Sequence, residues 1–367
     1  MKIKGLNFNN EAIEVEIKDG KIVEIKTLTK TKLTNYIIPG FIDNHTHGGY
    51  GFDWIDANKT KTLKYLKEVA LKEGTTSVCG TTITTAPEIV LKAIETNKEL
   101  VNEPLNGANL IGFHLEGPFI NPLKKGAHPI QYMKPLTKTN LFAVIGSDNL
   151  KYFKIITFAP ELSTVKDVTE IIKEHELNLQ VGHSVARKKD VKKYLKHNLR
   201  GITHFNNAMI KYDTRDSSLA KWGLKTKELY IEFINDGVHN SLELAQNIYL
   251  NKPKDKVMLI TDSLHVKGLA DGDYQGPNWK ITKRDGAAFT PEGVLNGSTY
   301  TMHNAFKDWI KMVGATMEEA ILVTSTNQAK YLGLNKGKIE IGYDADILVL
   351  DQKLEIKQVI VNGKEIK

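Results

Sequence analysis

Two imidazoles stand two residues apart in His45-Thr-His47, directly after the apolar run Ile37-Ile-Pro-Gly-Phe-Ile-Asp43. On an extended strand residues i and i+2 project to one side, so both rings can face a single ion. Imidazole suits zinc, iron and similar divalent cations, and Gly48-Gly49 leaves room beside the pair. Four further metal-capable side chains each close a separate apolar run. Glu116 ends Ile111-Gly-Phe-His-Leu, His183 ends Asn178-Leu-Gln-Val-Gly, His204 ends Gly201-Ile-Thr, and Asp262 ends Val257-Met-Leu-Ile-Thr. A carboxylate at the tip of an apolar strand must be paired or coordinated, because burying it alone is very costly. With two oxygens, Glu116 can bridge a pair of cations. Asp262 is the natural general base, able to take a proton from an activated water and return it to a leaving group. The chemistry implied is metal-dependent hydrolysis.

Ligands so dispersed meet only if the fold gathers strand ends at one mouth, as a barrel does. Strands are expected at Gly40–His45, Thr75–Gly80, Leu110–Glu116, Lys154–Phe158, Asn178–His183, Gly201–His204, Leu229–Asn235 and Lys256–Asp262. Helical patterns separate most of them: Lys59–Glu73, Pro87–Val101, Ser163–His175, Arg187–His197 and Ser241–Leu250. Strand–helix alternation argues for a parallel sheet, and eight units fit an α/β (β/α)₈ TIM-like barrel. Asn207–Lys227 is a poor helix and reads as a functional loop, as does the Gly- and Asp-rich Leu264–Leu295. The ends differ from the middle. Ala12–Ile17, Asp19-Gly20 and Lys21–Ile25 read as a hairpin, and Ile347–Leu350, Ile356–Val361 and Asn362-Gly363 repeat the style. Neither end can bury a core alone, so one small β-unit is expected from both. The division is residues 1–38 with 337–367 for that unit, and 39–336 for the catalytic barrel.

The remaining sequence narrows the classes. Among 367 residues, 41% are hydrophobic and 25% charged, an ordinary globular balance. No run approaches the ~20 apolar residues of a membrane helix. Met1-Lys-Ile-Lys-Gly-Leu-Asn-Phe-Asn lacks the apolar stretch of a secretory signal. The single cysteine, Cys79, excludes an internal disulfide and reads as a packing residue, so a cytoplasmic location is expected. A net charge of +7 mildly favours an anionic ligand. Its lysines are scattered among acids with no aromatic interleaving, so neither nucleic acid nor membrane is expected as a partner. There is no dinucleotide fingerprint, Walker loop or Gly-x-Ser-x-Gly elbow. His114 reads as a hydrogen-bonded structural histidine, and His175 and His197 as solvent-facing.

Taken in order, Pro39-Gly-Phe-Ile-Asp-Asn-His-Thr-His-Gly-Gly49, His114-Leu-Glu-Gly-Pro-Phe119, Gly182-His-Ser184, Thr203-His-Phe-Asn-Asn-Ala-Met209, Asp236-Gly-Val-His239, Thr261-Asp262, Leu295-Asn-Gly-Ser298 and Gly342-Tyr-Asp-Ala-Asp346 span nearly the whole chain. They resemble the N-acetylglucosamine-6-phosphate deacetylase family of the amidohydrolase superfamily. The resemblance implies a distorted (β/α)₈ barrel with a terminal β-sandwich, a homodimer and a phosphorylated amino-sugar substrate. It implies that Glu116, His183 and His204 hold one divalent metal, zinc or iron first, with manganese or cobalt as alternatives. Some members lack the His-x-His pair and carry that metal alone; this chain keeps His45 and His47, so a second ion is expected with Glu116 bridging and Asp262 beside it. Substrate contacts map onto His128, which also polarises the scissile carbonyl, and onto Asn207, Ala208 and His239. A phosphate-binding arginine from the neighbouring subunit maps onto Arg215, although members usually read Arg-Glu-Pro-Gly where this chain reads Arg215-Asp-Ser-Ser218. The reaction implied is hydrolysis of the acetamide of N-acetyl-D-glucosamine 6-phosphate. Alternatives are its galacto epimer, another amidohydrolase reaction such as cyclic-amide hydrolysis or deamination, or a metal-free scaffold relative. Cyclic-amide hydrolases commonly bridge their metals with a carbamylated lysine, and the Glu116 block argues against them.

Overall fold

Period-two patterning shapes the first strands, β1 (Lys2–Leu6), β2 (Ala12–Lys18) and β3 (Lys21–Thr27), in which Ile3, Ile13, Val15, Ile17 and Ile22 turn inward. They form an antiparallel meander, with β4 (Tyr36–Pro39) beside β1 in parallel. The structure is a computed structural model that describes residues 1–29, 32–172, 177–211 and 218–367.

Beyond Gly40 the pattern changes from alternating burial to strands buried almost continuously along their length. These are β5 (Phe41–Thr46), then, after a small hairpin of β6 (Gly48–Gly49) and β7 (Phe52–Asp53), β8 (Thr75–Thr82), β9 (Asn109–Glu116), β10 (Phe153–Phe158), β11 (Asn178–Val181), β12 (Leu199–Ile202), β13 (Tyr230–Ile234) and β14 (Val257–Ile260). Strands buried on both faces belong to parallel sheets covered by helices, and here eight of them pair in parallel in the order β5-β8-β9-β10-β11-β12-β13-β14. Helices α1 (Lys59–Glu73), α2 (Pro87–Asn97), α3 (Lys138–Ile145), α4 (Val165–Ile172), α5 (Lys188–Lys192), α6 (Leu219–Lys225) and α7 (Leu242–Asn251) lie between them. The amphipathic face of α1 buries Tyr65, Leu66, Val69 and Ala70 against the barrel, and Gly74 in the left-handed region ends the helix.

No ladder joins β14 to β5. The seam closes just beyond β14, where the Asp262 N–H donates to the His45 carbonyl (2.9 Å) and the His47 N–H donates to the Ser263 carbonyl (2.9 Å). Asp43, deeper in the same seam, accepts the Thr261 hydroxyl at 2.5 Å.

Two expectations are corrected. Leu264–Leu295 is not a bare loop but carries most of an antiparallel sheet of β15 (Gly272–Gln275), β16 (Lys280–Arg284), β17 (Ala287–Phe289) and β18 (Leu295–Ser298), packed on Leu264, Val266, Ile281 and Ala288. Its turn, Asp285-Gly286, has φ of 50° and 74° and joins the pair Arg284↔Ala287, the two-residue primed hairpin that Asp-Gly favours. Within Asn207–Lys227, residues 219–225 form α6, capped by the Ser218 hydroxyl, while 212–217 lie outside the described residues.

Helices α8 (Met302–Lys311), α9 (Met317–Ile321) and α10 (Asn327–Leu332) lead back to the terminal unit. There β19 (Ile347–Leu350), β20 (Ile356–Val361) and β21 (Lys364–Glu365) complete one seven-stranded sheet, β21-β20-β19-β4-β1-β2-β3, with its own apolar cluster. Asp346 is its bolt to the barrel: the carboxylate accepts from Lys336 Nζ (2.7 Å), Asn109 Nδ2 (3.1 Å) and the Asn362 N–H (2.7 Å).

Candidate metal centre

Glu116 ends β9 and is buried at the barrel mouth. Its Oε1 lies 2.8 Å from His204 Nε2 and 3.2 Å from His183 Nε2. Its Oε2 lies 3.0 Å from His47 Nε2, 3.5 Å from His45 Nε2 and 3.6 Å from His128 Nε2. Asp262 Oδ1 completes the second side, 3.2 Å from His47 Nε2 and 3.3 Å from His45 Nε2. One carboxylate thus stands between two sets of imidazoles, and Asp262 touches only one set.

Three of these groups sit slightly past the strands expected to end on them. His183, His204 and Asp262 each follow their strand by two residues and have φ of 46°, 28° and 49°. The left-handed region is sparsely populated by residues other than glycine, and such conformations cluster where function over-determines the backbone. The turn back at each tip swings the side chain over the mouth.

Proton bookkeeping shows what the cluster needs. His45 Nδ1 lies 2.9 Å from Glu232 Oε2, and His183 Nδ1 lies 2.8 Å from the Lys124 carbonyl. Carboxylates and carbonyls only accept, so both rings carry their proton on Nδ1 and present an Nε2 lone pair to the site. Those lone pairs face carboxylate oxygens, and His45 Nε2 has no hydrogen-bond partner at all. Lone pairs aimed at anions repel unless a proton or a metal cation lies between them. Imidazoles oriented by a carboxylate or carbonyl through the other nitrogen are the usual outer support of metal ligands. The ligand atoms of His45, His47, Glu116 and Asp262 all lie within 4.8 Å of one another. A divalent cation fits this donor set.

Charge tells the same story. Burial pulls the His47 imidazole down, but Asp262 and Glu116 outweigh it and lift it to about 9. Burial likewise opposes His45, yet Glu116, Asp262 and Glu232 hold it well above its ordinary value. Burial would raise Asp262, but His45 and His47 draw it down to about 2. The pocket calls for positive charge. His128, by contrast, is lowered to about 4, mainly by burial.

A cavity of about 360 Å³ opens over Glu116. His128, Asn207, Ala208 and His239, each expected as a substrate contact, line it together with the β18 approach Val294–Gly297. His239 is held by Asp236, whose Oδ2 lies 2.6 Å from Nδ1 and whose Oδ1 accepts the His239 N–H at 2.8 Å. Arg215 lies outside the described residues. A larger cavity of about 640 Å³ lies between the terminal sheet and α9, but it holds none of the imidazoles. We assign the chemistry to the smaller one.

Two residues at this centre escaped the sequence reading. Lys211 lines the cavity on the same rim as Asn207 and Ala208. Glu232, midway along β13, also accepts from Asn44 Nδ2 (2.7 Å) and Gln180 Nε2 (3.0 Å). An acid inside the apolar run Tyr230-Ile-Glu-Phe-Ile234 was the available signal. His114 sits deeper, with Nε2 2.7 Å from Thr157 Oγ1, as a structural histidine does.

Comparison with known proteins places this geometry. The amidohydrolase family profile matches residues 36–366. An N-acetylglucosamine-6-phosphate deacetylase of Bacillus subtilis (strain 168) is 31% identical over 96% of this chain and 93% of its own length. An N-acetylgalactosamine-6-phosphate deacetylase of Escherichia coli O157:H7 is 27% identical over 96% of this chain and 94% of its own. Among solved structures, an N-acetylglucosamine-6-phosphate deacetylase from Thermotoga maritima superposes with a TM-score of 0.91 at 30% identity, covering 100% of this chain and 99% of that one. A parallel barrel whose strand tips converge on one carboxylate, and a match running almost end to end, make this chain a member of the amidohydrolase family.

Proposed function

We propose that this protein is a metal-dependent deacetylase that hydrolyses N-acetyl-D-glucosamine 6-phosphate to D-glucosamine 6-phosphate and acetate. The observation that carries this reading is the Glu116-centred set of imidazole lone pairs beneath a cavity rimmed by His239 and Lys211. Full-length similarity to deacetylases of phosphorylated N-acetylhexosamines supports the substrate class, and most of those relatives act on the gluco sugar by name.

Glu116, His183 and His204 would hold one divalent cation; His45, His47 and Asp262 would hold a second, with Glu116 between them. We favour zinc or iron, with manganese or cobalt as alternatives, since this donor set accepts all four. When bound, the cation acidifies water toward a pKa of ~7 and polarises the amide. Asp262 takes the proton of the attacking water as its oxygen adds to the acetamide carbon. The same carboxyl then gives that proton to the amine nitrogen as the C–N bond breaks, leaving acetate and a free amino sugar. His128 hydrogen-bonds the carbonyl oxygen. Asn207 and Ala208 position the sugar, and His239 with Lys211 binds the phosphate. Arg215 adds a guanidinium from a neighbouring subunit of a homodimer, matching the phosphate with a two-pronged contact. The fully buried Cys79 suits a reducing cytoplasm.

The test is acetate release by the metal-loaded protein from both epimeric N-acetylhexosamine 6-phosphates and from their unphosphorylated forms. Preference for the phosphorylated gluco sugar is expected. No release from any of the four would overturn the reading, and equal turnover with and without phosphate would remove the roles of His239 and Lys211.

A further inference from the structure

Thr84 lies two residues beyond β8, fully buried, and has no place in the ligand set. Its hydroxyl oxygen is 2.7 Å from His128 Nδ1, and its backbone N–H points at the same nitrogen from 3.4 Å. A backbone N–H can only donate, so His128 Nδ1 must accept. The hydroxyl, free to rotate, then donates as well. A neutral ring with a lone pair on Nδ1 carries its proton on Nε2. That nitrogen lies 3.6 Å from Glu116 Oε2 and faces the cavity. We infer that Thr84 is a positioning residue that fixes the Nε2–H tautomer of His128, making it a hydrogen-bond donor to the carbonyl oxygen of the substrate. The inference rests on the deacetylase reading for its substrate, but not for the tautomer.

The other tautomer would turn a lone pair toward an oxygen that gains negative charge during attack, where a donor is what lowers the barrier. The surroundings are built to hold the pair. A Cβ at Gly117, where φ is +75°, would sit 2.0 Å from Thr84 Oγ1 and 3.3 Å from His128 Nδ1, so only glycine lets the two meet there. From the covering sheet, Asn278 Nδ2 donates to the Thr84 carbonyl at 3.0 Å. Thr84 is therefore gripped through its carbonyl while its N–H and hydroxyl grip the imidazole. Neither His183 nor His204 is set this way: His183 Nδ1 faces a carbonyl, and His204 Nδ1 has no partner.

The test uses the zinc-loaded enzyme, with Thr84→Val removing the hydroxyl at nearly constant shape and Thr84→Ser keeping it. Nitrogen-15 chemical shifts of His128 report the tautomer without substrate. Wild type and Thr84→Ser should show a protonated Nε2, and Thr84→Val a rise in the Nδ1–H form. Acetate release should show kcat down roughly tenfold or more in Thr84→Val, below the ~10²–10³ for losing a full oxyanion donor because the backbone N–H remains. KM and zinc content should hold, and Thr84→Ser should recover kcat to within about threefold. A wild-type His128 protonated on Nδ1 would overturn the inference, as would equal loss in both variants, which marks a packing role. A protonated Nε2 in a protein that releases no acetate would overturn the deacetylase reading and leave the tautomer assignment standing.

Discussion

Asp262 reaches His45 and His47 at 3.3 and 3.2 Å, on the side of Glu116 that these two imidazoles share. A carboxylate at the edge of the cluster, rather than at its centre like Glu116, is free to exchange a proton with the reacting atoms. Asp262→Asn should keep the cation assigned to Glu116, His183 and His204, measured by elemental analysis, and lose about 10²–10⁴-fold in kcat; turnover near that of the wild type would deny it the base role. His47 makes the second residue-level prediction. In metal-free protein its imidazole, raised to about 9, keeps its proton below that pH, and a bound cation must expel it. Apparent metal affinity should hold above about pH 9 and weaken as pH falls below it, by roughly tenfold per pH unit for each proton displaced. Titration of metal-free protein across pH 6–9 would read the slope, and a flat profile would remove His47 from the ligand set. The acids and imidazoles gathered at the barrel mouth were legible in sequence because each closed or followed an apolar run. Lys211 and Thr84 were not, because one acts from a rim and the other through a neighbour, and neither position carries a local pattern; Glu232 carried one, an acid inside an apolar run, but it acts through His45.

The strands were legible as apolar runs, and their ends were not. β8 was expected to stop at Gly80 but continues to Thr82, and its glycine has a packing reason. A Cβ there would lie 2.7–2.9 Å from the ring of Trp54, itself buried against Phe52, Tyr65 and Phe113. Gly80→Ala should destabilise the fold by roughly 1–3 kcal/mol through overpacking, seen as a lower denaturant midpoint at unchanged slope; an unshifted midpoint would mean that the ring moves aside freely. The covering sheet β15–β18 was missed for another reason. Its strands are short and polar, and only Leu264, Val266, Ile281 and Ala288 form their core, so charge and glycine content masked the Asp285-Gly286 turn. At the strand tips the left-handed turns at His183, His204 and Asp262 leave no mark in composition, because they are imposed by what the side chains must reach.

At the scale of the whole molecule, the pairing of the two ends was readable because neither end had enough apolar residues to stand alone. The bolt at Asp346 was not, since Gly342-Tyr-Asp-Ala-Asp346 shows an acid without its partners. Removing it by Asp346→Ala takes the acceptor from the Asn362 N–H and leaves Lys336, only 11% exposed, with Asp344 at 3.1 Å as its carboxylate partner, and should cost about 1–3 kcal/mol. Urea unfolding followed by far-UV dichroism should still show one transition if sheet and barrel stand or fall together; two would separate them. The seam carries a consequence of another kind. Because the amides of His47 and Asp262 knit the first barrel strand to the chain beyond the last, closure of the ring and placement of its candidate reaction centre depend on the same bonds. A bound ion then acts as a clasp on the whole hoop: at a hundred times its dissociation constant it should add about 2.7 kcal/mol, and stripping it with a chelator should lower Tm. Cut loose at that joint, a chain could keep its secondary structure and still have nowhere for the reaction to occur.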